Sequence, residues 1–264
     1  MRSLAAKNKI CEQGFTLIEV ITVVVILSIV AVLGGKFVVD STRSYQSTQT
    51  RSRLLNTGRQ AIERMSRQLR VALPYSARIT NVAAGAACIE FFPVVSGGTY
   101  ITAVADTLNG VLVPRATVDV SPHTIDFGAA QYVSIGAMSS AELYESPVSR
   151  ATLSSRTSSQ LNLSAAKRWQ QNSPRRRFYL LDSPQAFCLI ANQLRFYDNQ
   201  DATGTGVNIN STHSVIAENV TAVTPFALSA ASESRNLNVL LNLTFTLNGE
   251  FVEFNQSVTI RNVP

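Results

Sequence analysis

The sequence predicts an α+β protein. A long N-terminal helix, apolar in its first half and amphipathic in its second, packs on an antiparallel β-sheet head of two sheets. Three observations carry that expectation. Phe15 to Gly35 is an apolar run of 21 residues interrupted by one acid, Glu19. A stripe of small and apolar residues follows at helical spacing, from Leu55 to Ala72. The C-terminal part then changes period, with apolar and polar residues alternating on both sides of Asn248-Gly249.

The first element is set by length and charge. A helix needs about 20 apolar residues to cross a bilayer, and Val20 to Gly35 supplies only 16 uncharged ones. Including Phe15 to Glu19 reaches the required span. A carboxylate in such a helix costs on the order of 2.5–3.5 kcal/mol on insertion scales, so it is kept there for a reason. Arg2, Lys7 and Lys9 precede the run. This bias places the N-terminus in the cytoplasm and the residues beyond about 40 outside. A secretory signal peptide is cut after its apolar core, behind small residues. Here no A-x-A site follows Leu33, and the sharp boundary lies before the run, at Gly14.

The segment Gly14-Phe15-Thr16-Leu17-Ile18-Glu19 resembles the type IV prepilin signal. The resemblance implies cleavage by a prepilin peptidase between Gly14 and Phe15 and N-methylation of the new Phe15 amine. Glu19 becomes the fifth mature residue, which in that family meets the N-terminal amine of a neighbouring subunit during assembly. The fold implied is type IV pilin-like. Residues 1–14 are then a cytoplasmic leader, 15–39 the transmembrane half of the helix, 40–73 its amphipathic half and 74–264 a periplasmic β-rich head. Major pilins often carry a proline where this chain has Lys36, so a melted segment in mid-helix is not implied.

Beyond Asp40, Leu55, Gly58, Ile62, Met65, Leu69 and Ala72 recur at spacings of three and four, a narrow apolar stripe. Arg51, Arg59, Arg64, Arg67 and Arg70 occupy much of the remaining circumference. Pro74 ends the helix, because the residue before a proline is pushed out of the α region. The arginine-rich face has no interleaved aromatic residues of the kind single-strand nucleic-acid binders use as stacking platforms. Solvated or inter-subunit contacts account for it more simply than nucleic acid does. The whole-chain charge of +6 falls to about +4 once the leader's three bases and one acid are removed, a mild excess.

After Pro74 the strand candidates are Cys88–Val95, Thr99–Ala105, Thr124–Phe127, Arg177–Leu181, Ala186–Ile190 and Gln193–Tyr197, punctuated by Gly, Pro, Asn and Asp. Asn248-Gly249 suits a two-residue type I′ turn. Folding back around it pairs Leu247 with Glu250, Phe245 with Val252, Leu243 with Phe254, Leu241 with Gln256, Val239 with Val258 and Leu237 with Ile260. One face of that hairpin is nearly all apolar, and a slip of one residue mixes the two faces. Ser139 to Ser173 is Ser-rich with little sustained periodicity and reads as an insertion or long loop between sheets. Trp169, the only tryptophan, reads as a local packing residue, with a partner-binding anchor as the alternative.

Cys11 leaves with the leader, so Cys88 and Cys188 remain in the exported part, where disulfides persist. A bond between them closes a loop of about a hundred residues, worth at most ~4.7 kcal/mol in the loop-entropy treatment. Two buried free thiols are the alternative.

No catalytic or metal constellation is visible. His123 and His213, the only histidines, lack Cys or carboxylate neighbours at zinc-binding spacing, and there is no G-x-S-x-G elbow. Asp198-Asn199-Gln200-Asp201 lacks the residue order of a calcium loop and reads as a polar turn. Pro174-Arg175-Arg176-Arg177 reads as a solvated strand entrance.

Glu63-Arg64-Met65-Ser66-Arg67-Gln68-Leu69-Arg70 with Pro74-Tyr75-Ser76 looks like the spine end of the larger minor pilins. Cys88-Ile89-Glu90-Phe91-Phe92-Pro93 and Arg177-Phe178-Tyr179-Leu180-Leu181-Asp182-Ser183-Pro184 are similar to minor pilins of the mannose-sensitive haemagglutinin (MSHA) type IV pilus. The expected protein is therefore a non-enzymatic subunit without a cofactor. It is processed by a prepilin peptidase, held in the inner membrane with its head in the periplasm, and then helps to prime pilus assembly or sits at the pilus tip. Its expected partners are other minor and major pilins and the inner-membrane assembly platform. A J-like minor pseudopilin of type II secretion shares the same signals, and a tip adhesin or DNA-binding module is a further alternative.

Overall fold

The computed structural model describes residues 14–83, 86–108, 110–122, 128, 130–229 and 236–261. Cys11, His123 and the candidate strand Thr124–Phe127 lie outside the described residues. The chain divides into two compact units, one up to Thr50 and one from Arg51 onward.

One helix, α1 (Leu17–Arg70), runs through both and stays helical across Gly34-Gly35. In the first unit every side chain from Leu17 to Gln46 is exposed, and the segment is long and apolar enough to cross a membrane. In the second unit α1 buries Leu54, Gly58, Ala61, Ile62, Met65, Ser66 and Leu69. Leu55, predicted in the stripe, is only half-buried, and Leu54 takes its place. The last turn tightens, with Val71 N–H donating to Gln68 O (3.3 Å) and Ala72 N–H to Leu69 O (3.1 Å). A single 3₁₀ turn follows at Pro74–Ser76.

Fifteen strands follow among the described residues: β1 (Arg78–Ala83), β2 (Ala86–Phe91), β3 (Val94–Thr99), β4 (Arg115–Asp119), β5 (Tyr132–Ser134), β6 (Arg150–Arg156), β7 (Gln160–Lys167) and β8 (Arg177–Leu181), then β9 (Gln185–Ile190), β10 (Gln193–Tyr197), β11 (His213–Glu218), β12 (Val220–Thr221), β13 (Phe226–Ser229), β14 (Leu237–Leu247) and β15 (Glu250–Ile260). They form three antiparallel sheets rather than two: β1-β2-β9-β10-β11, β12-β14-β13 with β15 on β14, and β3-β8-β5-β6-β7-β4.

The first two sheets share a core with the second half of α1. Ile89, Phe91, Phe187, Leu189, Leu194 and Phe196 of the five-stranded sheet belong to that core, as do Val239, Leu241, Leu243 and Phe245 of β14. The β14–β15 register is the predicted one, from Leu237↔Ile260 to Leu247↔Glu250. Asn248 and Gly249 both take positive φ (51° and 81°), the requirement of a type I′ turn. Phe254 of β15 lies directly over Gly58, where a side chain on the helix has no room.

The third sheet is inserted between β2 and β9, which pair directly with each other, and it packs on the rest of the unit through Leu73, Phe92, Tyr144, Leu181 and Ala202. It closes on itself. Tyr100, just past β3, bridges Val120, just past β4. Ile101 N–H donates to Asp119 O and Ser121 N–H to Thr99 O, both at 2.9 Å. The result is a small antiparallel barrel with its own core, including Tyr100, Val120, Val133, Leu161, Trp169 and Leu180. Closure removes both open edges of the sheet.

Three strand expectations are corrected. Cys88–Val95 breaks into β2 and β3 at Phe92-Pro93, since Pro93 has no N–H for a ladder. Thr99–Ala105 is not a strand beyond Thr99, because the Asn172 side chain supplies the ladder partner instead. It accepts from Val104 N–H (3.0 Å) and donates to Val104 O (2.8 Å). The predicted loop over 139–173 contains β6 and β7 of the barrel. Their turn is closed by Thr157, whose Oγ1 accepts from Gln160 N–H (3.1 Å), with no Gly or Pro to mark it. Trp169 is buried in the barrel core, as a packing residue.

Candidate assembly site

Gly14, Phe15 and Glu19 lie together at the start of α1, and all are exposed. Thr16 stands at the N-cap. Its Oγ1 and carbonyl oxygen both accept from Glu19 N–H, at 3.4 and 3.1 Å, and its carbonyl also accepts from Val20 N–H at 3.3 Å. Thr16-Leu17-Ile18-Glu19 has the spacing of a capping box, Thr at N-cap and Glu at N3. That signal is legible in the sequence. Glu19 falls in the first turn, where the helix dipole favours a negative charge. Thr22 Oγ1 donates to Glu19 O (2.9 Å), so its hydroxyl is satisfied within the apolar helix. What the arrangement offers is an acid on an apolar helix at the end that carries the dipole's partial positive charge.

The second predicted pair, Cys88 and Cys188, sits in the second unit. The two residues are direct cross-strand partners in β2 and β9, joined by a disulfide. They lie at 0% exposure on the sheet face away from α1, with Ala186, Tyr197 and Val207. The bond crosses the two strands between which the barrel is inserted.

Next to it is a buried charged joint that the sequence reading missed. Arg78 of β1 is opposite Glu90 of β2, and its Nε donates to Glu90 Oε2 at 2.7 Å. The same guanidinium donates to Gly204 O (2.8 Å) and lies over the Tyr144 ring, 3.8 Å from its centroid. Arg150 of β6 packs over Tyr132 (4.6 Å) and Phe92 (5.5 Å). Burial pushes the Glu90 carboxyl above the ordinary range, against the pull of Arg78. Burial likewise raises the Tyr144 hydroxyl well above its usual value, and Glu90 adds to the effect. It also lowers Arg150 from the normal arginine range. Only opposite charges four or more residues apart along the sequence hint at such a pair, and they do not say which ones meet.

The remaining candidates separate from one another. His213 is exposed at the start of β11, with Nδ1 3.3 Å from Ser211 O. Asp201 accepts from Thr203 N–H and Oγ1 (2.9 and 2.8 Å), a local turn that holds its carboxyl below the ordinary range. Among the described residues no three His, Cys, Asp or Glu side chains are grouped to hold a metal. On the arginine face of α1, Arg64 packs over Phe196 at 5.2 Å and donates to Ser214 Oγ, while Arg51, Arg59, Arg67 and Arg70 are exposed.

Residues 10–34 match the family described as the prokaryotic N-terminal methylation motif, the type IV pilin-like prepilin signal. No curated protein and no solved structure matches the chain. The motif implies processing by a prepilin peptidase and assembly with other pilins, and proteins that carry it are structural subunits. A long apolar helix followed by antiparallel sheets is consistent with the type IV pilin-like α+β fold.

Proposed function

We propose that the chain is a minor pilin of a type IV pilus, of the MSHA type and similar to its MshO subunit. In this reading it primes assembly or stands at the fibre tip. The observation that carries the reading is the prepilin signal running directly into a helix whose second half is the spine of a large β-rich head. Cleavage after Gly14 leaves Phe15 as the methylated N-terminus, and the mature helix waits in the inner membrane with the head in the periplasm. A new amine at the positive end of a helix dipole is unfavourable on its own and gains from a carboxylate on a neighbouring subunit. Glu19 is that carboxylate. In the apolar phase it penalises any neighbour that brings no cation.

Replacing Glu19 by Ala is expected to reduce incorporation into pili while the head stays folded. Immunoblots of sheared pili against membrane fractions check this, and normal incorporation of the variant would count against the role. The prepilin signal is shared with type II secretion, so a J-like minor pseudopilin is the second reading. Deleting the gene and scoring surface pili and secreted enzymes side by side separates the two.

A further inference from the structure

Strand β15 carries a pattern that assembly through the helix leaves unused. Five asparagines, Asn162, Asn210, Asn219, Asn242 and Asn255, stand two residues before a serine or threonine with no proline between, the acceptor pattern for N-linked sugar. Only Asn255 also has an acid two residues before it, in Glu253-Phe254-Asn255-Gln256-Ser257. At the other four that position holds Gln160, Asn208, Ala217 and Leu240.

The spacing of two is the period of a strand. β15 therefore sets Glu253, Asn255 and Ser257 on one face, and all three are exposed. Its other face goes to the core, with Phe254 over Gly58 and with Val258 and Ile260 buried. Among the described residues the Asn255 amide makes no hydrogen bond and Glu253 no ion pair. Two of the other asparagines are committed within the fold. Half-buried Asn162 donates through Nδ2 to Ser155 Oγ (2.8 Å), and half-buried Asn242 through Nδ2 to Thr224 O (3.5 Å). The edge of β15 is also open. Among the described residues it pairs with β14 alone, over 11 residues without a bulge, and it has no proline or lysine to deter another strand.

We propose that Asn255 is an N-glycosylation site, modified from a polyprenyl-pyrophosphate-linked oligosaccharide by a transferase acting outside the cytoplasm. This rests on the exported head of the proposed function. Asn255 Nδ2 loses a proton and bonds to C1 of the first sugar, while the C1–O bond to pyrophosphate breaks and the lipid pyrophosphate leaves. Ser257 offers a hydroxyl and Glu253 a carboxylate on either side of the acceptor, the two groups by which an enzyme tells this asparagine from the other four. Transfer takes place before β15 pairs with β14, when the segment can bend into an active site. In the closed fold the sugar projects from the outer face of the sheet and displaces nothing in the core. A bulky polar group in mid-strand then hinders strand addition at the open edge.

The test produces the full chain in cells that carry an oligosaccharyltransferase requiring an acid two residues before the asparagine, with its lipid-linked donor. The intact mass of the mature chain is expected to rise by one oligosaccharide, and fragmentation to place it on Asn255. Asn255→Gln is expected to lose the added mass, Glu253→Gln to lose most of it, and Asn210→Gln to keep it. All three variants change exposed side chains only. Purified transferase and donor acting on the full chain, diluted from urea into detergent, give the same readout without export. Modification there but not in cells supports the acceptor and counts against the exported head. No added mass in either setting overturns the proposal, as does added mass that survives Asn255→Gln or is undiminished by Glu253→Gln.

Discussion

Gly58→Ala is a small change that the structure makes consequential. In a free helix the substitution gains about 0.8–1 kcal/mol, because glycine is the poorer helix former by that amount. Here the added Cβ would fall 2.1 Å from Cε2, 2.7 Å from Cζ and 2.9 Å from Cδ2 of Phe254. Three ring atoms inside 3.0 Å require the ring or the β15 backbone to move. Phe254 is also edge-on to Phe245 at 5.5 Å, which limits where the ring can go. Overpacking of this kind costs about 1–3 kcal/mol. With so close a contact the upper part of that range applies, leaving a net loss of ~1–2 kcal/mol after the helix gain. For a unit of this size each kcal/mol moves the midpoint by about 2–4 °C. The assay is thermal unfolding of the full chain in detergent, followed by near-ultraviolet circular dichroism. The partner variant is Phe254→Leu, which takes the ring away. On that background Gly58→Ala should turn stabilising, and the double-mutant cycle reports the sign reversal as coupling between the two positions. A single Gly58→Ala variant that raises the midpoint would refute the reasoning, since it would mean the helix does not press on β15 at this point.

Two further predictions concern the joint between the sheets. Cys188→Ser removes a bond of sequence separation 100 and is expected to cost about 2–4 kcal/mol in denaturant titration, with wild type under reducing conditions behaving like the variant. Glu90 titrates in the opposite sense from an ordinary paired carboxylate. Its folded pKa lies above the unfolded value of 4.5, so the folded state holds the proton more readily, and this group's contribution to stability is greatest below 4.5 and falls as pH rises through the raised pKa. Glu90→Gln has no proton to lose, so the stability of wild type relative to Glu90→Gln should decline from pH 4 towards neutrality. A relative stability that grows with pH would show that Arg78, not burial, governs the carboxyl.

The parts of this fold that were legible in the sequence are those where local pattern and packing agree. The β14–β15 hairpin could be paired residue by residue because Asn248-Gly249 fixes the turn and alternate Leu, Val and Phe fix the face. The bounds of β8 and β10 followed from similar cues. The barrel was not legible, for two physical reasons. Its strands β6 and β7 bury few large side chains, chiefly Leu161 and Leu163, among Ser, Asn and Ala, so their period is faint. Its closure rests on a bridge between Tyr100 and Val120, and no local period announces a contact of that range. The helix stripe slipped to Leu54 because Gly58, Ala61 and Ser66 carry much of the contact, and small residues give weak signals of burial. The assembly motif was the reverse case. It is contiguous, so every residue of it was visible, yet the role proposed for Glu19 depends on a neighbour that no single chain contains.

The place of the insertion bears on how one chain can combine two separate cores in one unit. β2 and β9 would be adjacent strands of the same sheet with or without the 94–181 segment, and their ladder runs from Ala87↔Leu189 to Phe91↔Gln185. The barrel leaves and re-enters at neighbouring points, after Phe91 and before Gln185, so its residues contribute little to the core around α1. That core draws on Leu54, Met65, Leu69 and the two other sheets, and the barrel has a core of its own. Tension applied to the barrel would load the ends of β2 and β9 together with the packing of Tyr144 and Leu181 on Leu73, Phe92 and Ala202. The Cys88–Cys188 bond ties those two strands, and the Arg78–Glu90 pair ties β2 to β1 beyond it. That arrangement lets the barrel's outer surface change without altering the residues that pack on the second half of α1.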